Sequence, residues 1–441
     1  MRTSNLSRRS FLGGGALLGG GAVFGLAGKA AGRWAAGPAT NPALKIARIE
    51  TIPLSLPMKP FPDGFEKTGG RFTGSSSYQK DAPRTGRKRD ANGFALMDYV
   101  LVKIHTDRGI VGMGEAPTDS VETLETVKFT IDRNMAPALI GLNPLEAERC
   151  TDLISSRKDG RVVAHHAIAA INYALFDILG KALNVPLHTL LGGLYRTRVL
   201  ASIEVPRGTP EEMAAHSLAY YQQGIRGIKA KVGTDPDRDA KALKAIREAL
   251  GDTISLRADA NRGYTLHEAI RLCRLAREYN VGLELLEQPT SSTDFDGMGR
   301  VSLAADIPIE ADEAADSLDA VFHLLKEDAC DLINTKCSKA GGVSGVKKWA
   351  AVAEAASKSI VIGTEYGLAP IVASKVHLGC AIKNADPVVE FTEIMLHDLL
   401  LKTPLELKDG TIDVPTGPGI GWELDEAKIE AYTVRDFPKN P

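Results

Sequence analysis

Cysteine is scarce in this chain: there are five in 441 residues, Cys150, Cys273, Cys330, Cys337 and Cys380, with no Cys-x-x-Cys pair and no His/Cys cluster. An odd number at such spacings argues against a disulfide framework and against a structural zinc, leaving buried free thiols as the expectation. A surplus of charge is missing too, with 53 basic against 55 acidic residues and a formal net charge of -2. That balance gives no electrostatic footing to a nucleic-acid binder. Beyond the first 27 residues no segment approaches 18 uninterrupted apolar residues, so no stable membrane anchor is expected. What is present, 44% hydrophobic and 24% charged residues, suffices to bury at least one large core.

The first 40 residues have their own character. They hold ten glycines, five basic residues and no acid, and Ser7-Arg8-Arg9-Ser10-Phe11-Leu12 opens a Gly-interrupted apolar run to Ala27. A charged start, a short weakly apolar core and small residues after it form the layout of an export signal. The twin arginine points to the twin-arginine pathway and a periplasmic destination. Without the five basic residues of this segment the charge falls to -7.

From Leu44 the text alternates short β-rich runs and helices. Ile46 to Leu56 and Phe94 to His105 read as strands, and Asp107-Arg108-Gly109 turns the second into a third at Ile110 to Glu115. Between the first two lies a polar, Gly-rich loop, and its stretch Gly64 to Asp90 carries seven basic residues against three acidic. A loop of this length is either functional or a solvated insertion. Helical stretches follow at Thr123 to Met135, Pro144 to Arg157 and Arg161 to Leu183, the last apolar around most of its circumference. These define an expected α+β unit over 44–190.

Over 195–394 apolar runs alternate with amphipathic stretches, the signature of βα units around a parallel sheet. Eight runs end in polar residues at Glu204, Lys229 with Lys231, Asp259, Glu287, Asp312, Lys336, Glu365 and Glu390, at intervals of 24 to 29 residues. So even a spacing favours a closed (β/α)8-type barrel, whose carboxyl-terminal face carries chemistry. Asp259, Glu287 and Asp312 would then converge from consecutive strands, and hard oxygen donors without His or Cys favour Mg2+ or Mn2+. Lys229 and Lys231, at i and i+2, share one face of a strand. Their mutual repulsion beside a dication is expected to lower their pKa values. Lys336 comes from the other side of the carboxylates. Lysines on both sides of a metal-bound carboxylate suit removal of the proton α to it, with an enediolate as intermediate.

These residues, with NYALFDILGKALNVPLHTLLGG from Asn172, Glu287-Gln288-Pro289, Gly341-Gly342, Gly363-Thr364-Glu365 and PTGPGIGWELD from Pro415, make the chain resemble the enolase superfamily, in particular its muconate-lactonizing enzyme subgroup. The resemblance implies an α/β fold, a modified (β/α)7β TIM-type barrel with an α+β N-terminal capping domain, and a tail over 395–441 returning to the cap. It implies Asp259, Glu287 and Asp312 as Mg2+ ligands and Lys231 and Lys336 as the acid/base pair. Lys229 would tune Lys231 and help hold the substrate carboxylate. Neighbouring Asn261, Glu313 and Lys339 would support these from behind. It also implies a symmetric homo-oligomer. Glu365-Tyr366-Gly367 departs from an arrangement with a late His base, and Val388 to Glu393 departs from the Asp-x-Asp of dipeptide epimerases.

The partial reaction is better specified than the product. Racemisation or epimerisation of an amino-acid-like carboxylate is the first reading; lactonising cycloisomerisation and dehydration of a hydroxy or sugar acid are the alternatives. A non-catalytic exported binding protein for acidic metabolites would need no lysines flanking the carboxylates.

Overall fold

A computed structural model describes residues 44–59, 90–91, 96–118, 122–155 and 164–437. The export-signal segment 1–40 and residues 64–89 of the basic loop lie outside the described residues. The first strands form an antiparallel meander of β1 (Ile46–Pro57), β2 (Leu96–Thr106) and β3 (Val111–Pro117). The turn between β2 and β3 closes through Thr106 N donating to Ile110 O at 2.9 Å, with Gly109 at φ +80°.

The first helical stretch begins at the expected Thr123 and runs past Met135 to Leu139, while the next begins at Ala147 where Pro144 was expected. Thr123 is the N-cap of α1 (Leu124–Thr130), its hydroxyl accepting from Thr126 N, and the helix loosens into a π turn over 131–135 before α2 (Ala136–Leu139). Next come α3 (Ala147–Ser155) and α4 (His165–Leu183). α4 is the central layer, buried along most of its length. It lies directly on β3 because Gly112 and Gly114 lack side chains: a Cβ on either would sit 2.1 or 2.0 Å from the carbonyl oxygens of Ala174 and Ala170. α5 (Leu187–Leu190) leads out of this layer.

Seven βα units and an eighth strand follow: β4 (Arg198–Val205), α6 (Pro210–Gln222), β5 (Gly227–Lys231), α7 (Pro236–Leu250), β6 (Ser255–Asp259), α8 (Leu266–Glu278), β7 (Leu286–Glu287), α9 (Phe295–Ala304), β8 (Ile309–Ala311), α10 (Leu318–Lys326), β9 (Leu332–Asn334), α11 (Val343–Ala355), β10 (Ser359–Val361), α12 (Ala369–Ala381) and β11 (Val388–Glu390). Side-chain caps start the helices sharply: Thr209 with Glu212 and Thr265 with Glu268 form capping boxes on α6 and α8. The strands are parallel in the order β10-β9-β8-β7-β6-β5-β4-β11. The two end strands meet through an Ile360–Ala385 bridge, Asp386 N to Ile360 O at 2.8 Å and Glu390 N to Ile362 O at 3.0 Å, which closes the ring. The architecture is the (β/α)7β barrel with an α+β layer ahead of it.

After the ring come α13 (Glu393–Leu396), β12 (Thr411–Asp413), antiparallel on β4, and α14 (Glu426–Tyr432). The tail ends on the first sheet: Thr433 bridges Leu54, Val434 N donates to Pro53 O at 2.9 Å, and Glu426 pairs with Lys103 at 2.6 Å. All five cysteines are free and buried.

Candidate active site

Ladder register brings the singled-out residues to one end of the barrel. Lys231 on β5 is paired with Asp259 on β6, and Asp259 with Glu287 on β7. Asp312 lies one residue past β8 and Lys336 two past β9. Backbone in the left-handed region supports this rim, at Asn261 (φ +42°), Arg262 (φ +66°) and Gln288 (φ +35°). Such conformations persist in non-glycine residues where surrounding contacts impose them. Here the Gln288 amide oxygen accepts from Asp312 N at 2.9 Å and Ala314 N at 3.0 Å, tying the ends of β7 and β8 together, while Asp259 Oδ1 accepts from Asn261 N at 2.7 Å.

The carboxylates and lysines interleave. Lys231 Nζ lies 2.6 Å from both Asp259 Oδ2 and Glu204 Oε1. Lys229 sits between Glu287 and Glu390. Lys336 reaches Asp312 Oδ2 at 2.5 Å, and Lys339 reaches Asp312 Oδ1 and its carbonyl, both at 2.7 Å. All these carboxylates are buried.

Among the protein's own groups this pairing raises the lysine pKa values, where repulsion beside a dication was expected to lower them. Burial pulls the ammonium of Lys231 down, but Asp259 and Glu204 outweigh it and hold it well above the usual range. Lys229 is pushed the same way, with Glu287 and Glu390 overcoming burial. For Lys336, burial is overcome chiefly by Asp312 and the pKa is raised. Repulsion between Lys229 and Lys231 is real but small beside the carboxylates that the neighbouring strands insert between them. Against burial, Lys231 lowers Asp259, and Lys336 with Lys339 lowers Asp312 well below the ordinary carboxylate range. Glu287 is driven well above it by burial and by Asp259.

Besides Glu390, two carboxylates that the motif reading did not single out as site residues belong to this cluster. Glu310, two residues before Asp312 and therefore on the same face of β8, is raised to about 8 by burial, Lys229 opposing and Glu390 adding. Among the described residues, the three carboxylates whose oxygen atoms all lie within 4.8 Å of one another are Glu287, Glu310 and Glu390. Asn334 bridges two of them, donating to Glu310 at 2.9 Å and Glu287 at 3.2 Å. The i, i+2 spacing of Glu310 and Asp312 was the available signal. The second is Glu204, whose partner Tyr366 donates to its Oε2 at 2.6 Å. Of the neighbours expected behind the site, Lys339 contacts Asp312 directly, and Asn261 reaches Glu313 at 3.4 Å.

Buried oxygen donors on three successive strands fit a hard divalent cation, and Glu310 Oε2 and Glu313 Oε2 are buried without a hydrogen-bond partner. Each carboxylate of the row Asp259, Glu287 and Asp312 is paired with a lysine, Lys231, Lys229 and Lys336 in turn, and a cation would take up the same oxygens in place of the ammonium groups.

Residues 92–192 match the family described as "Mandelate racemase / muconate lactonizing enzyme, N-terminal domain", and residues 212–428 that described as "Enolase C-terminal domain-like". The chain is 31% identical to L-Ala-D/L-Glu epimerase of Bacillus subtilis over 86% of this chain and 96% of that protein. It is 31% identical to a chloromuconate cycloisomerase of Delftia acidovorans over 76% of this chain and 91% of that protein. Among solved structures, N-succinyl Arg/Lys racemase of Bacillus cereus superposes with a TM-score of 0.75 at 27% identity, covering 88% of this chain and 98% of that one.

Proposed function

The chain belongs to the mandelate racemase / muconate lactonizing enzyme family of the enolase superfamily, and from that premise we propose that it is a racemase or epimerase working at the carbon α to the carboxylate of an amino-acid-like substrate. Its relatives are racemases, epimerases and cycloisomerases, which makes this chain an enzyme and removes the non-catalytic binding protein from consideration.

Strand order carries the reading. The sequence β9-β8-β7-β6-β5 stands Lys336 on one side of the row Asp312, Glu287 and Asp259, and Lys231 on the other. A substrate carboxylate laid over that row offers its α-carbon to one lysine on each face, so one takes the proton and the other delivers one to the opposite face. Asp259, Glu287 and Asp312 would hold Mg2+, or Mn2+ in its place, and a cation there neutralises charge building on the substrate carboxylate as the proton leaves. Lys229, locked between Glu287 and Glu390, keeps a fixed positive charge beside that carboxylate. Turning Asp259 and Asp312 away from Lys231 and Lys336 loosens the hold on their protons, giving the neutral amine that proton removal requires.

Cycloisomerisation is the second reading, because it needs one lysine and the two stand in unequal surroundings. The test is a screen of amino acids, N-acyl amino acids, betaines and sugar acids for α-proton exchange in D2O with Mg2+. Exchange on some of these carboxylates, abolished by chelation and restored by Mg2+ or Mn2+, is expected. Exchange indifferent to chelation would defeat the metal assignment, and a screen without exchange would defeat the reaction. We also infer export through the twin-arginine pathway from Arg8-Arg9 and the Gly-rich run after it, testable by N-terminal sequencing of periplasmic protein. A homo-oligomeric assembly is testable by light scattering.

A further inference from the structure

Lys231 is the end of a hydrogen-bonded chain that starts in the first sheet. Tyr99, buried on β2, donates from its hydroxyl to the carbonyl oxygen of Tyr366 at 2.6 Å. Tyr366 donates from its own hydroxyl to Glu204 Oε2 at 2.6 Å, and Glu204 Oε1 lies 2.6 Å from Lys231 Nζ. Tyr366 adopts φ +57°, a conformation a bulky residue holds only where its surroundings impose it. The imposing contacts are the Tyr99 bond and the neighbouring His397, whose ring nitrogen lies 2.8 Å from Gly367 O. Both oxygens of Glu204 are thereby committed, and its carboxylate is fixed at the end of β4 with its backbone N–H bonded to Thr392 Oγ1 at 2.9 Å.

Lys336 is held differently. Its carboxylate partner is Asp312, one of the residues assigned to the cation, and its side chain is 32% exposed against 8% for Lys231. Of the two lysines assigned to the proton, Lys231 is the one that the described contacts pair with a carboxylate outside the metal set, Glu204.

We propose that Glu204 and Tyr366 are positioning residues dedicated to Lys231: when Asp259 turns to a metal ion, Glu204 still holds Lys231 Nζ in place and Tyr366 holds Glu204, so that this face of the site is anchored to the first sheet. This rests on the racemase or epimerase reading for its catalytic consequence, but its structural content stands without it. The first sheet then reaches the chemistry through backbone and side-chain bonds on that face.

A crystal structure of the Mg2+-loaded protein decides the structural content without any substrate. Lys231 Nζ within hydrogen-bond distance of Glu204, and Glu204 of Tyr366, is the expected result; Lys231 released from Glu204 in that structure overturns the proposal. Tyr366→Phe removes one buried oxygen at constant shape, and Mg2+ titration by calorimetry checks that its metal site is intact. In the Mg2+-loaded structure of this variant, Glu204 should be re-oriented and Lys231 displaced or in several rotamers, and an unmoved Glu204–Lys231 pair would overturn the role of Tyr366. The functional arm uses both enantiomers of the carboxylate that exchanges fastest in the D2O screen, with Lys231→Ala identifying the enantiomer served by Lys231. Tyr366→Phe should slow exchange of that enantiomer about tenfold and the other less than twofold. Equal losses, or a loss confined to the Lys336 enantiomer, would return Tyr366 to a structural role. A screen with no exchange defeats the reaction assignment and leaves the Mg2+-loaded structures to decide this one.

Discussion

The two flanks of the carboxylate row are built from the same residue type and differ in everything around it. On the β5 flank Lys231 is buried against two carboxylates from different strands; on the β9 flank Lys336 is partly open and shares the carboxylate of Asp312 with Lys339. A lysine at a strand end therefore has no fixed character. Its surroundings decide whether it acts as an immobile half of an ion network or as a movable group.

The most damaging change should be one that removes the row shared by both flanks. Glu287→Gln is expected to lower α-proton exchange by about 1000-fold or more for both enantiomers, since it removes one assigned oxygen ligand and uncouples Lys229. Retained exchange on either face would break the idea of a common centre.

The flanks should separate in stability. Lys231→Ala leaves Asp259 and Glu204 buried without their partner and is expected to cost about 3–5 kcal/mol, whereas Lys336→Ala leaves Asp312 with Lys339 and should cost about 1 kcal/mol or less. Urea unfolding of the two variants measures this, and equal costs would erase the distinction.

A smaller effect tests whether the first sheet holds the barrel rim. Glu115 on β3 is buried and accepts from Leu368 N at 2.7 Å and Ile371 N at 2.9 Å, at the start of α12. Burial, with Glu393 and Glu365 adding and the Ile371 and Leu368 donors opposing, pushes its pKa from 4.5 up to about 8. A carboxyl raised on folding contributes stability that is whole below the unfolded value and is lost as pH rises through the folded one. Glu115→Gln should therefore gain Tm relative to the parent between pH 5 and pH 9, and a difference that does not vary with pH would contradict this. The smallest effect should come from Lys339→Met, under about 1 kcal/mol alone, but combined with Lys336→Ala the loss should exceed the sum of the two singles by about 1 kcal/mol, because Asp312 then loses both partners.

Much of this was legible in the sequence because strand-end residues are read along the chain. Eight polar markers at even spacing locate the barrel rim, and Asp259, Glu287, Asp312, Lys231 and Lys336 stand at it in the expected order. What spacing does not disclose is which groups meet across the ring. Glu204 and Tyr366 are 162 residues apart and become partners because β4 and β10 both border β11. The raised lysine pKa values among the protein's own groups were hidden for the same reason: repulsion between neighbours at i and i+2 is visible along the chain, while Glu204, Glu287 and Glu390 come from other strands. The helix start at Ala147 also differs from the expected Pro144, since a turn over 144–145, not hydrophobic spacing, sets where that helix begins.

The return of the tail to the first sheet has a consequence for how the molecule is made. Pro53 and Leu54 leave the ribosome before the barrel strands, but their partners Val434 and Thr433 follow the whole barrel. The edge of the first sheet stays unpaired there until the residues after the barrel have been made. The barrel strands are synthesised in the interval, and the layer ahead of them is finished last, so a protein shortened at residue 424 should present an open β1 edge and a strong tendency to self-associate.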